Sequence, residues 1–230
     1  MHRWIAKALE QNRNLLEPEA LALLRDYHMP VPRYAFVAGM DVEEAVRAAE
    51  DIGYPVVVKI VSRDILHKSD VGGVQVGLGT EQSVRAGCAA IMRNLALKAP
   101  AAELDGLLVM EQALAGTECI SGALRDPQFG TALMFGLGGV FVEALADVSF
   151  QLLPVTPEEA LEMTYEIRAS RLLDSFRGKE AADRQAIARW LCALGALAEA
   201  EKEIAEIDVN PLFVYPRGVL AADVRIILKK

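Results

Sequence analysis

The chain has 230 residues, of which 53% are hydrophobic, and a formal net charge of −8 from 24 basic and 32 acidic side chains. This composition is ample for a hydrophobic core, and the acidic balance argues against nucleic acid or an anionic membrane as a partner. Three isolated cysteines, no apolar signal core and no apolar stretch of bilayer length predict a soluble protein of a reducing cytoplasm.

Helices and strands alternate in the first 105 residues. Polar caps, prolines near first turns and terminating glycines mark the helices, whereas β-branched runs mark the strands. The predicted elements are a helix from Glu17, a strand at Arg33–Val37, a helix from Asp41 to Gly53, a strand from Val56, a strand at Val74–Leu78 and a helix from Thr80 to about Lys98. We expect an N-terminal extension over residues 1–16 and a small α+β lobe over residues 17–105.

One segment of this small lobe carries residues suited to phosphate chemistry. Lys59 follows three consecutive valines, where a buried ammonium is costly unless an anion lies opposite. His67 comes eight residues later, and Gly72 and Gly73 precede the next strand. Imidazole can accept a phosphoryl group, and glycine lets backbone N–H groups approach phosphate. Each signal also has an ordinary alternative, namely a solvated lysine, a surface histidine and a simple turn, and the spacing excludes a P-loop.

Residues 106–230 predict a second, larger α+β lobe. Four strands are predicted at Gly106–Glu111, Thr117–Leu124, Thr131–Phe135 and Val148–Leu153, followed by a helix from Thr156 and a longer one from about Ala182 to Ala200. Two closing strands, Glu206–Val214 and Val219–Ile227, are joined by Tyr215-Pro216-Arg217-Gly218. Two α+β lobes favour a ligand site in the cleft between them.

Polar side chains of the second lobe form two candidate groups. Glu111 ends a strand and Glu118 follows seven residues later, so the pair is either solvated or part of a hinge that holds adenosine. On the closing strands, Asp208 and Asn210 share a face because positions i and i+2 point the same way, and Asp223 lies on the next strand. Oxygen ligands on a rigid hairpin suit Mg²⁺. The alternative is an acidic, solvated strand face.

Together these motifs resemble the ATP-grasp fold, and more narrowly the ATP-grasp (β) subunit of NDP-forming acyl-CoA synthetases, the acetate–CoA ligase (ADP-forming) family. The resemblance covers nearly the whole chain from about Glu17 onward. The matching segments are His67–Gly73, Arg125–Gly130, Gly136–Glu143, Arg177-Gly178, Glu206–Leu212 and Ala222–Arg225. The sequence departs from the family pattern at Ser175, where glycine is expected.

The resemblance implies a role for each matching residue. His67 matches the family's second phosphohistidine, which sits on a mobile segment. Asp208 takes the place of the acidic residue that steadies a phosphohistidine imidazole at the subunit contact. The implied ligands of nucleotide and metal are Lys59 for phosphates, the residues around Glu111 for adenine, Glu118 for ribose, and Asn210 and Asp223 for Mg²⁺, while the phosphate contact expected of Gly72 and Gly73 rests on the glycines themselves.

The resemblance also implies a partner, a CoA-binding α subunit in an α2β2 hetero-oligomer that carries the acyl-transfer chemistry. With ATP or ADP and Mg²⁺ as cofactors, the chain would catalyse only the nucleotide half of acyl-CoA + ADP + phosphate = carboxylate + CoA + ATP. Two alternatives stay open: an ATP-grasp ligase that forms an acyl phosphate directly, and a non-catalytic nucleotide-sensing subunit. The joint presence of Lys59, Asn210 and Asp223 speaks against the sensing subunit.

Overall fold

The computed structural model describes residues 1–65, 67–139, 147–175, 178 and 180–229. It separates into two compact units, a central unit formed by Pro32–Ala113 and a terminal unit formed by Met1–Val31 together with Leu114–Lys230. Each unit combines helices with one antiparallel sheet, which confirms the expected α+β class. Within the described residues, no helix has both the length and the apolar character needed to cross a bilayer.

The elements follow one another closely along the chain. In order they are α1 (Arg3–Glu10), α2 (Glu17–Asp26), β1 (Tyr34–Ala38), α3 (Val42–Ile52), β2 (Val56–Val61), β3 (Val74–Leu78), α4 (Glu81–Lys98), β4 (Gly106–Glu111), β5 (Thr117–Asp126), β6 (Gly130–Leu137), β7 (Val148–Leu152), α5 (Pro157–Glu166), a 3₁₀ helix (Ser170–Leu173), α6 (Arg184–Ala200), β8 (Ile204–Val214), β9 (Val219–Ala221) and β10 (Val224–Leu228).

The central unit is built on a four-stranded antiparallel sheet in the order β1-β4-β2-β3. Helices α3 and α4 cover one face of it, because a single cluster of buried residues joins Ala45 and Ala49 to Ile91 and to Val58 and Ile60 of β2. Every residue of β2 is buried, as expected for a strand in the middle of a sheet. Residues that alternate with Val58 and Ile60 therefore face the other side of the sheet.

The boundary expected at residue 105 is wrong. β4 pairs with β1 on one side and with β2 on the other, so it is an inner strand of the central unit rather than the start of the second lobe. The sequence order had grouped β4 with the strands that follow it. Residues Gly106 to Met110 of β4 are buried, however, so their backbone N–H and C=O groups need hydrogen-bond partners in strands on both sides. The central unit ends at Ala113 instead.

The expected N-terminal extension is also part of a folded unit. Residues 3–10 form α1, which the sequence reading did not predict. The backbone N–H of Leu228 donates to Asn14 at 3.1 Å, and the N–H of Ala221 donates to the carbonyl of Pro30 at 3.1 Å. The first 31 residues therefore belong to the same compact unit as the C-terminal strands.

The terminal unit contains a six-stranded sheet in the order β10-β8-β5-β6-β7, with β9 also pairing with β8. α6 covers one face of this sheet: the indole N–H of Trp190 donates to the Ser121 hydroxyl of β5 at 2.8 Å. The closing strand predicted at residues 219–227 is divided into β9 and β10 by Ala222 and Asp223. The division falls at one of the predicted metal ligands.

Candidate functional site

The predicted site residues fall into two groups, one in each unit. The central unit holds Lys59, His67, Gly72, Gly73 and Glu111, whereas the terminal unit holds Glu118, Asp208, Asn210 and Asp223. Two stretches of the motifs that carried the family resemblance, Val140–Glu143 and Arg177, lie outside the described residues.

Lys59 lies in the interior of the central sheet, as predicted. It stands opposite Val74 of β3 and Leu108 of β4, and only 5% of its surface is exposed. Since Val58 and Ile60 face α3 and α4, Lys59 points to the face of the sheet away from these helices. An ammonium held there is suited to an anionic ligand.

His67 is exposed in the loop between β2 and β3. The first flank of this loop, residues 62–64, is hydrogen-bonded to residues that precede β4. The hydroxyl of Ser62 donates to the carbonyl of Glu103 at 2.6 Å, and the carboxylate of Asp64 accepts from the Glu103 N–H at 2.8 Å. The guanidinium of Arg63 binds Asp105 at 2.6 Å. The chain therefore leaves β2 in a defined direction before it reaches His67.

The second flank of the loop, residues 70–72, is hydrogen-bonded to side chains of α4. The side-chain amide of Asn94 donates to the carbonyl of Gly72 at 3.0 Å, and the ammonium of Lys98 donates to the carbonyl of Asp70 at 2.9 Å. His67 thus lies between two anchored flanks. The His67 side chain is exposed to solvent, and the described residues 62–64 before it and 70–72 after it are held by hydrogen bonds.

Gly72 and Gly73, which are predicted to contact phosphate, also shape the turn in which they lie. The N–H of Gly72 donates to the backbone carbonyl of Ser69 at 3.0 Å, and the N–H of Gly73 donates to the backbone carbonyl of Lys68 at 2.8 Å. Both hydrogen bonds lie within the turn and close it. Gly72 has φ +68°, and a side chain there would collide with Asn94. Glycine is required by the turn and its packing, and a phosphate contact through either N–H stays a prediction that requires the turn to open.

Glu111 is held by Arg33 at the end of β4. The Arg33 guanidinium donates to its carboxylate at 3.1 Å, and the backbone N–H of Glu111 donates to the carbonyl of Arg33 at 2.8 Å. The hydrogen bond from Arg33 lowers the pKa of Glu111, and the nearby positive charge acts in the same direction. Its carboxylate is therefore part of an ion pair, and the predicted adenine contact would have to come from other backbone groups near the end of this strand.

The two predicted metal ligands lie side by side in the terminal unit. Val209 of β8 is paired with Val224 of β10, and one residue further along the N–H of Asn210 donates to the carbonyl of Asp223 at 3.2 Å. An amide oxygen and a carboxylate oxygen are ligands that Mg²⁺ accepts together with substrate phosphates. The chemistry of this pair therefore fits Mg²⁺. Within the described part of the chain, no group of three or more His, Cys, Asp or Glu side chains is placed to bind a metal.

Asp208 lies two residues before Asn210 and directly opposite Arg225 of β10. A guanidinium nitrogen of Arg225 is 3.5 Å from the Asp208 carboxylate and 2.8 Å from that of Glu206. The Asp208 side chain keeps 35% of its surface exposed. The carboxylate is thus oriented by a neighbouring cation and still accessible, which suits a group that accepts a hydrogen bond from an imidazole.

Glu118 is exposed on β5, opposite Phe213 of β8. Its carbonyl accepts from the N–H of Gly138 at 2.7 Å, so the end of β6 lies against it. Gly122, on the same face of β5 as Glu118, is opposite Asp208. The terminal sheet therefore places Glu118 and Asp208 on one face.

Three contributors to these groups were missed by the sequence reading. Arg33 contacts Glu111 and Asn94 contacts Gly72 because the fold brings these residues together. No spacing pattern in the sequence predicts either contact. Arg225 lies in the Ala222–Arg225 segment that carries the family resemblance, but the sequence assigned it no partner. Its position in the alternating pattern of β10 was the one available signal that it faces Asp208.

Comparison with known proteins identifies the family. A family model described as "ATP-grasp domain" matches residues 7–228. The "Acetate--CoA ligase [ADP-forming] I subunit beta" of Pyrococcus furiosus is 46% identical over 97% of this chain and 96% of that protein. The "Acetate--CoA ligase [ADP-forming] I" of Archaeoglobus fulgidus is 42% identical over 97% of this chain, which covers only 32% of that longer protein.

Solved structures give the same result. The dinucleotide-forming acetyl-coenzyme A synthetase 1 of Ca. Korarchaeum cryptofilum, in complex with coenzyme A, Ca-AMPCP and HgCl+, superposes with a TM-score of 0.94 at 46% identity, covering 98% of each chain. A second structure of that enzyme holds coenzyme A and Mg-AMPPCP, with its phosphohistidine segment pointing towards the nucleotide binding site. It superposes with a TM-score of 0.85 at 44% identity, over 98% of each chain.

Proposed function

Since the chain belongs to the ATP-grasp family, within the group of β subunits of ADP-forming acetate–CoA ligases, we propose that it is the nucleotide-handling subunit of an ADP-forming acyl-CoA synthetase. The enzyme is an acid–thiol ligase that interconverts acyl-CoA, ADP and phosphate with carboxylate, CoA and ATP. This chain binds ATP or ADP together with Mg²⁺ and transfers the phosphoryl group. We place it in the cytoplasm, where its three cysteines would stay free thiols.

The end-to-end match to a β subunit carries this proposal. The likeness to the Pyrococcus protein extends over 97% of one chain and 96% of the other, and is not confined to a shared nucleotide-binding module. In the Archaeoglobus relative, the region that matches this chain accounts for 32% of a longer polypeptide. We infer that the remaining functions of this enzyme reside on a CoA-binding α subunit, in an α2β2 assembly.

His67 is proposed as the phosphoryl carrier. An unprotonated imidazole nitrogen attacks the terminal phosphorus of ATP, a nitrogen–phosphorus bond forms, and the bond to the ADP oxygen breaks with its electron pair leaving on ADP. The reverse step regenerates ATP from phosphohistidine and ADP. The exposed position of His67 between two anchored flanks supports this role, because the ring is accessible to a phosphoryl donor.

The remaining residues assist the transfer through charge and hydrogen bonding. Lys59 binds phosphate oxygens with its buried ammonium, and Glu118 binds the ribose hydroxyls. Asp208, oriented by Arg225, accepts a hydrogen bond from the N–H of a phosphohistidine ring and so fixes its tautomer. Asn210 and Asp223 would hold Mg²⁺, which neutralises charge on the phosphates.

A ligase that forms an acyl phosphate directly is the second candidate. It needs an acceptor pocket of its own and has no use for a phosphorylated histidine. The relatives named as β subunits favour the relay over direct acyl phosphate formation.

The test is phosphorylation of the purified chain. With γ-labelled ATP and Mg²⁺ we expect an acid-labile, base-stable label on His67, located by mass spectrometry. His67→Ala should lose the label and, in the complex with the CoA-binding chain, lower acyl-CoA synthesis by about a thousandfold or more. His28→Asn is the matched control, because His28 is exposed and its φ of +58° suits asparagine.

Two results would contradict the proposal. A wild-type rate of ATP-dependent acyl-CoA synthesis by His67→Ala would exclude the relay. Robust acyl-CoA formation by the isolated chain would favour the direct ligase instead.

A further inference from the structure

The terminal sheet exposes apolar side chains on the face that α6 does not cover. Trp190 of α6 donates to Ser121, so α6 lies against the odd-numbered residues of β5. Side chains alternate along a strand, and Leu124 therefore points to the opposite face. On that face Leu124 is 53% exposed, Phe150 59% and Leu152 49%.

These side chains form one continuous surface. Leu124 is directly opposite Ala132 of β6, which is opposite Leu152 of β7, and Met134 of β6 is opposite Phe150 of β7. Directly opposite residues of antiparallel strands share a face, with Cβ atoms about 5 Å apart. We call these five residues the apolar face. Exposed apolar side chains that share one face of a sheet are typical of surfaces that contact another molecule.

The apolar face is continuous with Asp208. Gly122 of β5 is opposite both Met134 of β6 and Asp208 of β8, so a single row runs from Asp208 through Gly122 and Met134 to Phe150. Neighbouring strands lie about 5 Å apart, which puts Asp208 roughly 15 Å from Phe150. A standard interface covers about 800 Å² on each partner, or about 30 Å across, and so spans both ends of the row.

Charged groups border the apolar face on the Asp208 side. Arg225 lies opposite Asp208 and binds Glu206 at 2.8 Å, and Glu206 is itself opposite Leu124. An apolar centre with a charged and hydrogen-bonded edge is the usual composition of a protein–protein interface.

We propose that the apolar face docks the CoA-binding partner polypeptide, with Asp208 at the edge of the contact. The inference rests on the proposed function, in which Asp208 hydrogen-bonds a phosphohistidine ring while the phosphoryl group passes between this chain and the CoA-binding partner, so that the partner has to approach the edge of this sheet. The length of the Archaeoglobus relative supports the same occupant, because the region that matches this chain is only 32% of that protein and the rest of its sequence belongs to the same polypeptide.

The test compares two exposed phenylalanines. The CoA-binding chain of the same organism is identified by its retention on immobilised CoA and its restoration of acyl-CoA synthesis, and its affinity for this chain is measured by calorimetry. Phe150→Asp should weaken binding at least tenfold, because a carboxylate would be buried in an apolar contact. The matched control is Phe129→Asp, 71% exposed in the turn between β5 and β6, which should stay within twofold of wild type.

A second variant at another position of the apolar face tests the same surface independently. Leu152→Asp should weaken binding by a similar factor to Phe150→Asp. Thermal unfolding of each variant checks that it is folded. Wild-type affinity in both variants would overturn the proposal. So would self-association of the isolated chain that Phe150→Asp abolishes, because the occupant would then be a second copy.

The proposed function is tested separately by labelling of His67 in the wild-type chain, which needs no partner. Failure of that labelling would overturn the phosphoryl relay, whereas unchanged binding by Phe150→Asp would overturn only the docking surface.

Discussion

The side-chain amide of Asn94 donates to the carbonyl of Gly72 at 3.0 Å, and this contact ties the turn after His67 to α4. Asn94→Ala should release the turn, because Gly72 loses its side-chain donor. The net value of one hydrogen bond is about 1 kcal/mol, so we expect amide exchange of residues 68–73 to become about fivefold faster. Hydrogen–deuterium exchange with mass spectrometry measures it.

The control for this prediction lies on the same helix. Arg85 makes ion pairs with Glu43 and Glu81 on the surface of α4, and Arg85→Ala should leave exchange at residues 68–73 unchanged. Equal exchange in wild type and Asn94→Ala would show that the turn is held by other contacts.

Asp223→Asn should weaken binding of Mg·ATP at least tenfold while the fold is kept. The substitution preserves shape but replaces a carboxylate with a neutral amide beside Asn210, and a divalent cation is bound less well by a neutral ligand set. Titration calorimetry with Mg·ATP measures the change. Glu203→Gln removes an exposed charge from the same unit and serves as control. A wild-type titration by Asp223→Asn would mean that this residue is not a metal ligand.

Glu111→Gln should change nucleotide affinity by no more than about twofold, because its carboxylate is bound to Arg33. The pair is largely exposed, with 63% of the Arg33 side chain and 42% of the Glu111 side chain accessible. Loss of such an exposed, solvent-screened pair should leave the free energy of unfolding nearly unchanged. Arg33→Gln should have an equally small effect. A tenfold loss of nucleotide affinity in Glu111→Gln alone would show instead that the carboxylate contacts the ligand.

Glu19 should make the terminal unit sensitive to acid. Burial alone would raise its pKa, but hydrogen bonds from Arg13, from the N–H of Leu16 and from Lys7 outweigh burial and lower the pKa below the usual 4.5. The folded state therefore binds fewer protons than the unfolded state, so this contribution to stability is present above about pH 4.5 and is lost as pH falls through the lowered value.

Removing that carboxylate should remove the effect. Arg13 and Glu19 keep only 6% and 5% of their side-chain surfaces exposed, so Glu19→Ala should lower the free energy of unfolding by about 3 kcal/mol at pH 7. The loss should shrink below pH 4. Denaturant unfolding between pH 3 and pH 7 measures both, with exposed Glu10→Ala as control. A loss that is the same at pH 3 and pH 7 would contradict the assignment.

Much of the local structure was predictable because its causes lie close together in the chain. Asp41, Thr80 and Thr156 accept from backbone N–H groups three residues later, as their spacing indicated, and the helices begin there. The valine run of β2 and the alternating pattern of β8 also form the predicted strands. The α+β class and the family followed from these elements and from the motifs between them.

What the sequence determined alone was therefore most of the elements and their order, the family and the identity of the chemical groups, whereas helix α1 and the division between β9 and β10 were not predicted. The tertiary structure decided which strands pair: β4 became an inner strand of the central unit, and residues 1–31 packed with the C-terminal strands. It also assigned Arg33 to Glu111, Asn94 to Gly72, and Arg225 to Asp208. Such pairings depend on hydrogen bonds and burial between residues far apart in the chain, and local propensity carries no information about them.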